Sequence, residues 1–361
     1  MTTSSPSPIL FHEVAGPTGS LGVITLNTPE KYQATRLAMT HLLYQQLQTW
    51  KQASHIQAIC IHSPLEKAFC AGGDLRALYE GDMRYAEETF WDEYRLVEVL
   101  AHYPKPTIAF TQGYTMGGGV GLSVYMQYRI AAPTLQWAMP ETGIGFFPDV
   151  GASYFLPAAP KQIGRYLGLT GTIIGARDAQ HCGFIDYIVP FIAFPTLIER
   201  IANSDYQRET LDKLIRDYTQ TTEPSYLSAQ ADQIAAHFHF KSIQDIDQSL
   251  QTDSSEWAQR TRAQLATRAP LSLGITARLL QTPHPLSLLA ALTQEYQLAC
   301  YLFEKGDFTE GIRAQIIDKD KSPRWLHETL YSVDDSTVTE AFCITRPALT
   351  FGVSDRFTRT E

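Results

Sequence analysis

Three segments between residues 69 and 151 hold the groups that could do chemistry. Phe69-Cys-Ala-Gly-Gly-Asp-Leu75 and Gly113-Tyr-Thr-Met-Gly-Gly-Gly-Val-Gly121 are glycine-rich turns. Met139-Pro-Glu-Thr-Gly-Ile-Gly-Phe-Phe-Pro-Asp-Val-Gly151 carries two acids, Glu141 and Asp149. A turn that follows a strand and opens a helix leaves backbone N–H groups unpaired, and such groups stabilise a developing negative charge. Two of them aimed at one point make an oxyanion hole. Glu141 and Asp149 beside it would supply acid–base or nucleophilic chemistry. The combination reads as an enzyme acting on an activated carbonyl. The apolar setting of Glu141, among Trp137, Met139, Pro140, Ile144, Phe146 and Phe147, raises a carboxyl's pKa and poises it for proton transfer. Each feature also has a plainer local reading: a strand-to-helix turn capped by Asp74, tight helix–strand packing at Gly117–Gly119, and a loop with both acids solvated.

Other chemistries find less support. Gly117-x-Gly119 lacks the third glycine of a dinucleotide fingerprint, since position 122 is Leu122, and no Gly-Lys-Ser/Thr follows to make a phosphate-binding loop. Gly151-Ala-Ser153-Tyr-Phe155 fails as a serine-hydrolase elbow at its last position. Cys70 beside the first turn reads as a small buried thiol rather than a nucleophile. His237-Phe-His239 alternates like a strand, without the acidic or Cys neighbours that a metal site needs.

The elements that must position these groups follow from the apolar spacing. Leu21–Leu26, Ala58–His62, Thr107–Thr111, Tyr128–Ala132 and Phe184–Val189 read as strands. Leu37–Trp50 and Glu87–Tyr103 read as helices, the second stopped by Pro104 and Pro106, and Val120–Met126 as an apolar helix behind the second turn. Alternating strands and helices indicate an α/β class. Beyond Pro190 the pattern turns helical, with Leu197–Gln220, Tyr226–Phe240 and Leu286–Gly306 as the clearest spans. Residues 1–195 are therefore read as an α/β core that carries the site, and 196–361 as a mainly helical C-terminal region.

With 361 residues, 44% apolar and 19% charged, the chain has the composition of an ordered globular protein. Its net charge of −9, without a basic run, argues against nucleic acid or an anionic membrane as partner. Five cysteines, at 60, 70, 182, 300 and 343, show no CxxC and imply reduced thiols in a cytoplasmic setting. Met1–Leu10 is Ser/Pro-rich, with neither the apolar region of a signal peptide nor the arginines of a transit peptide, and reads as a disordered lead-in. No apolar stretch reaches membrane-spanning length.

The segments Ala68–Leu75, Gly113–Ser123 and Ala138–Gly151 resemble the crotonase (enoyl-CoA hydratase/isomerase) superfamily. The long form of the third, and the late segment Lys305-Gly-Asp-Phe-Thr-Glu-Gly-Ile-Arg-Ala-Gln-Ile-Ile-Asp-Lys-Asp-Lys-Ser-Pro-Arg-Trp325, are similar to the 3-hydroxyisobutyryl-CoA hydrolase branch. The resemblance runs from Ile24 to Trp325. It implies a crotonase-like spiral of repeated β-β-α units with a helical C-terminal region, a choice that periodicity alone leaves open against a doubly wound sheet.

The resemblance also assigns roles. The N–H groups of Gly73 and Gly118 would hold the thioester oxygen, and Ala71 would contact the CoA adenine. Glu141 would activate water or attack to form a mixed anhydride, and Asp149 would be the second acid. Glu93 would bind the substrate's distal hydroxyl, although its acidic neighbours Glu87, Glu88 and Asp92 also suit a solvated helix face. Hydratases of this superfamily carry a further glutamate three residues beyond the middle glycine of the second turn, which is Gly121 here. One of the hydratase pair is thus missing, and thioester hydrolysis fits better than hydration. The implied reaction cleaves a short β-hydroxyacyl-CoA, 3-hydroxyisobutyryl-CoA in valine breakdown, with no cofactor beyond the CoA of the substrate. An enoyl-CoA hydratase/isomerase and a non-catalytic acyl-CoA-binding protein stay open as alternatives, as does a homo-oligomer.

Overall fold

The computed structural model describes residues 7–220, 224–281, 287–346 and 349. The chain opens with strands β1 (Ile9–Gly16) and β2 (Gly19–Leu26), then helix α1 (Leu37–Gln52). Next come β3 (Ile56–His62), β4 (Ala68–Cys70), α2 (Leu75–Glu80) and α3 (Met83–Ala101). Strands β5 (Thr107–Thr111) and β6 (Tyr114–Met116) lead into the one-turn helix α4 (Gly118–Gly121). Strands β7 (Tyr128–Ala131) and β8 (Gln136–Ala138) lead through a 3-10 turn, Glu141–Ile144, to α5 (Ala152–Phe155), α6 (Ile163–Thr170) and α7 (Ala176–His181). After β9 (Tyr187–Ile188) the described residues are helical: α8 (Phe194–Ala202), α9 (Arg208–Arg216), α10 (Tyr226–Phe238), α11 (Ile243–Thr252), α12 (Glu256–Leu265), α13 (Pro270–Leu279), α14 (Leu288–Lys305), α15 (Asp307–Ile312) and α16 (Asp335–Cys343).

Two sheets result. One has the order β1-β2-β3-β5-β7-β9, antiparallel only between β1 and β2. The other is a small parallel sheet, β4-β6-β8. The chain therefore makes three successive turns of the same kind: a strand in the large sheet, a strand in the small one, then helix. This is the expected spiral of β-β-α units.

The large sheet is buried on both faces, as parallel sheets are. Period-2 alternation sends Leu21, Val23, Ala58, Cys60, Ile108 and Phe110 toward α8 and α9. Ile24, Leu26, Ile59, Ile61 and Ala109 face α1 and the end of α3. A third core joins α3 and the 146–155 segment to α6, α13 and α14.

Several expectations are corrected. Ile9 and Leu10, read as part of the lead-in, open β1, because their partners in β2 give them a ladder. The apolar helix expected over Val120–Met126 is a single turn ending at Gly121. Leu197–Gln220 is two helices, interrupted where Tyr206 takes a left-handed φ of 57°. His237 lies in the last turn of α10, not in a strand.

Candidate active site

The two glycine turns come together at the ends of the small sheet's strands. Thr35 brackets the first: its N–H donates to Gly72 O at 2.9 Å, and its carbonyl accepts from Asp74 N at 2.7 Å. The Gly73 N–H between them meets no acceptor among the described residues. Asp74 caps α2, accepting from Ala77 N at 3.4 Å, and pairs with Lys31 and Arg36, each at 2.7 Å. The plain capping reading holds, and the cap leaves the Gly73 N–H open because it uses other atoms of the turn. In the second turn Gly117 takes φ 48°, a conformation that favours glycine, and starts α4. The Gly118 N–H, in the helix's first turn, also meets no acceptor among the described residues. A Cβ built on Gly118 would lie 3.6 Å from Gly73 N, and one on Gly72 3.8 Å from Gly118 N. Two uncommitted N–H groups therefore border one space.

That space is a cavity of about 340 Å³ lined by Ala71, Gly73, Glu93, Gly118, Glu141 and Asp149, every position singled out from the sequence. Glu93 and Glu141 flank the second turn. A Cβ on Gly118 would collide with Glu93 Oε1, and one on Gly117 would sit 2.8 Å from Glu141 Oε1. Glu141 is 6% exposed and its Oε2 has no hydrogen-bond partner, so it offers a free lone pair at the cavity. Burial pushes its carboxyl well above the usual range, and the neighbouring Asp149 adds to the effect. Asp149 rises to about 7 through burial, opposed by the Tyr94 hydroxyl, which donates to its Oδ2 at 2.8 Å. Glu93 is half-buried and rises to about 8, again by burial first and repulsion from Asp149 second. Three acids around one cavity cannot all be ionised at neutral pH, so protons are held where a thioester would react.

The glutamate that a hydratase would carry at position 121 has no room here. A Cβ on Gly121 would lie 2.8 Å from Val150 Cβ, so the residue after Asp149 fills that space.

The sequence reading missed Tyr94, Arg268, Phe308 and Glu295. Tyr94 follows Glu93 on α3 and could have been found as the aromatic neighbour of a suspected acid. Arg268 lines the cavity from the helical region; burial lowers its pKa, its Nη2 donates to Thr170 O, and its Nε is buried without a partner. Phe90, Phe146 and Phe308 form the apolar floor, with Phe146 and Phe308 stacked at 4.3 Å between ring centroids. Phe308 belongs to the late segment, which docks on the Glu141 turn: Gly145, at φ 74°, lies against the Asp307 carbonyl, and Gly311 against the Ile144 carbonyl. The two stretches that resemble one enzyme branch therefore pack on each other.

Elsewhere, His237 bridges Ser249 Oγ at 2.8 Å and Asp253 at 3.0 Å, joining α10 to the end of α11. The metal-compatible trio found among the described residues is His41, Glu88 and Asp92, away from the cavity lining. All five cysteines are free, four of them buried. Cys70 is buried and its thiol is pushed to about 12, the inert state expected of it.

Three β-β-α turns wound around a pair of free glycine N–H groups and a buried glutamate define the crotonase class of fold. The chain belongs to the enoyl-CoA hydratase/isomerase family, whose model matches residues 21–342. The 3-hydroxyisobutyryl-CoA hydrolase, mitochondrial, of Xenopus tropicalis is 38% identical over 334 residues, 90% of this chain and 86% of that protein. The protein of the same description from Danio rerio is 36% identical over 351 residues, 95% of this chain and 91% of that one. Among solved structures, an enoyl-CoA hydratase from Rhodobacter sphaeroides 2.4.1 is 33% identical with TM-score 0.87, covering 96% of this chain and 100% of that one. A carnitinyl-CoA dehydratase from Mycobacterium thermoresistibile is 30% identical with TM-score 0.87, covering 96% and 99%. None of the described helices is long and apolar enough to cross a membrane.

Proposed function

We propose that this protein is an acyl-CoA thioester hydrolase that converts 3-hydroxyisobutyryl-CoA and water to 3-hydroxyisobutyrate and CoA, a step of valine catabolism. One observation carries the choice of chemistry: Glu141 stands beside the two free N–H groups, while Val150 occupies the space of the second hydratase glutamate. The names of the hydrolase relatives support the substrate.

In this reading the thioester oxygen sits between the Gly73 and Gly118 N–H groups and gathers charge there as the carbonyl is attacked. Losing one such donor costs about two to three powers of ten in rate. Glu141 takes the proton from the attacking water, or attacks itself and is released from the mixed anhydride by water. In the first course the C–S bond breaks as the tetrahedral adduct collapses, in the second as the anhydride forms, and in both the CoA thiolate takes up a proton. Asp149, held by Tyr94, orients Glu141 or the water. Glu93 binds the 3-hydroxyl, and Ala71 meets the adenine. The division at 195/196 separates the part that carries the reacting groups from the helical part, which completes the floor with Phe308. No cofactor is needed beyond the CoA of the substrate. The free cysteines suit a reducing compartment such as the cytoplasm, and association of identical copies belongs to the same reading.

The test is free-thiol release from 3-hydroxyisobutyryl-CoA run beside loss of enoyl absorbance from crotonyl-CoA, before and after chelation. Hydrolysis should have the higher kcat/KM and survive chelation. A higher value for hydration would make the protein a hydratase, and CoA binding without turnover of either would make it a non-catalytic binder.

A further inference from the structure

The turn that carries Asp149 is built against backbone preference. Val150 has φ 52° and Gly151 φ 83°. The left-handed region is open to glycine but unfavourable for a β-branched residue, so surrounding contacts must enforce it. Val150's side chain is pressed against Gly121. Tyr125 OH donates to Gly151 O at 2.8 Å. The third contact comes from α14 in the helical region: the Glu295 carboxylate accepts from Gly151 N at 2.6 Å, Ser153 N at 2.9 Å and Ser153 Oγ at 2.6 Å.

Glu295 is fully buried, and no ion pair to it is found among the described residues. A buried carboxylate without a cation is costly unless its lone pairs are filled. Here they are filled by the two residues that close the Asp149 turn. Glu295 is absent from the cavity lining, so it touches no substrate. Its helix packs along α3, which presents Tyr94 to Asp149 from the other side. Asp149 is thus held by the Tyr94 hydroxyl at its carboxylate, while Glu295 grips the Gly151–Ser153 backbone that follows it.

We propose that Glu295 is a positioning residue for Asp149, locking the strained Val150–Gly151 turn so that the Asp149 carboxylate keeps its place beside Glu141. This rests on the hydrolase reading for the role of Asp149, but the geometry it invokes does not depend on the substrate.

The experiment is a cycle of Glu295→Gln, Asp149→Asn and the double variant, with Ser153→Ala as a milder probe that removes one donor. Free-thiol release gives kcat and KM, and carbon NMR of labelled aspartate carboxyls follows Asp149 without substrate. Glu295→Gln should lower kcat roughly ten- to a hundredfold with KM within about twofold, and Ser153→Ala should lower it a few-fold in the same way. In the Asp149→Asn background, Glu295→Gln should cost nothing further in kcat. The Asp149 carboxyl should titrate at higher pH in Glu295→Gln, since a loosened turn weakens the Tyr94 hydrogen bond that favours its ionised form. Additive losses in the double variant, or variants that lose thermal stability while kcat and the Asp149 titration stay at wild-type values, overturn the proposal. If Glu295→Gln does not fold, an unchanged kcat in Ser153→Ala overturns it. A wild-type protein that leaves thioesters intact while the Asp149 titration still moves in Glu295→Gln refutes the hydrolase reading and leaves the positioning role standing.

Discussion

Replacing Glu93 by Gln should stabilise the protein at alkaline pH while impairing its selectivity. Burial and the nearby Asp149 raise the Glu93 carboxyl from an ordinary 4.5 to about 8. The unfolded chain ionises this group near 4.5 and the folded chain only near 8. Below 4.5 both states are protonated and the group is neutral to stability. As pH climbs toward 8 the unfolded state releases a proton that the folded state keeps, so stability falls, and above 8 the loss is complete. At 1.36 kcal/mol per pH unit the full loss is at most about 5 kcal/mol. Asp149 shares in it, so Glu93→Gln should gain roughly 2–4 kcal/mol on wild type between pH 5 and pH 8. With an unfolding entropy of ~2.1 cal/mol/K per residue, that is a Tm gap widening by about 3–5 °C. Scanning calorimetry of both proteins at the two pH values reads it. A gap that stays constant, or narrows, between pH 5 and 8 refutes the picture of a proton-holding acid cluster. The same variant should lose roughly two- to tenfold of its preference for 3-hydroxyacyl-CoA over the acyl-CoA lacking that hydroxyl, because a hydrogen bond between neutral groups is worth about 0.5–1.5 kcal/mol. Equal losses on both substrates would make Glu93 structural.

Two further substitutions probe the reacting end. Glu141→Gln keeps the shape and removes the base or nucleophile; kcat for thiol release should drop by at least about two powers of ten, and a smaller change would move the chemistry to Asp149. Gly121→Glu restores the hydratase residue but drives it into Val150; overpacking of about 1–3 kcal/mol should lower Tm, with no gain in the enoyl-absorbance assay.

The reacting groups were legible because each carries a local signature. Glycines that open a helix, and an acid in an apolar run, announce themselves within a dozen residues. Strands β4, β6 and β8, three residues each, were invisible because so short a span shows no period. The supports of the site were harder still. Glu295 meets Gly151 across 144 positions, a distance no local pattern encodes. A clue was available: it is the lone acid on the buried stripe of α14, beside Leu292, Tyr296 and Ala299. A carboxylate on such a stripe needs donors from elsewhere, and asking which donors would have led toward the turn after Asp149.

The cavity floor closes only when residues from both ends of the fold meet, with Phe308 stacked on Phe146. On the ribosome these two side chains are made far apart in time. At about 5–20 residues per second, Phe308 follows Phe146 by roughly 8–30 s. Through that interval the nascent chain already holds both glycine turns and all three cavity acids, yet lacks the Phe308 that completes their floor. Apolar surface around Phe90 and Phe146 stays bare until α15 arrives. A growing chain stalled before Phe308 would therefore offer a sticky, incomplete pocket to whatever chaperone attends it, and turnover would begin only after the late segment had folded back.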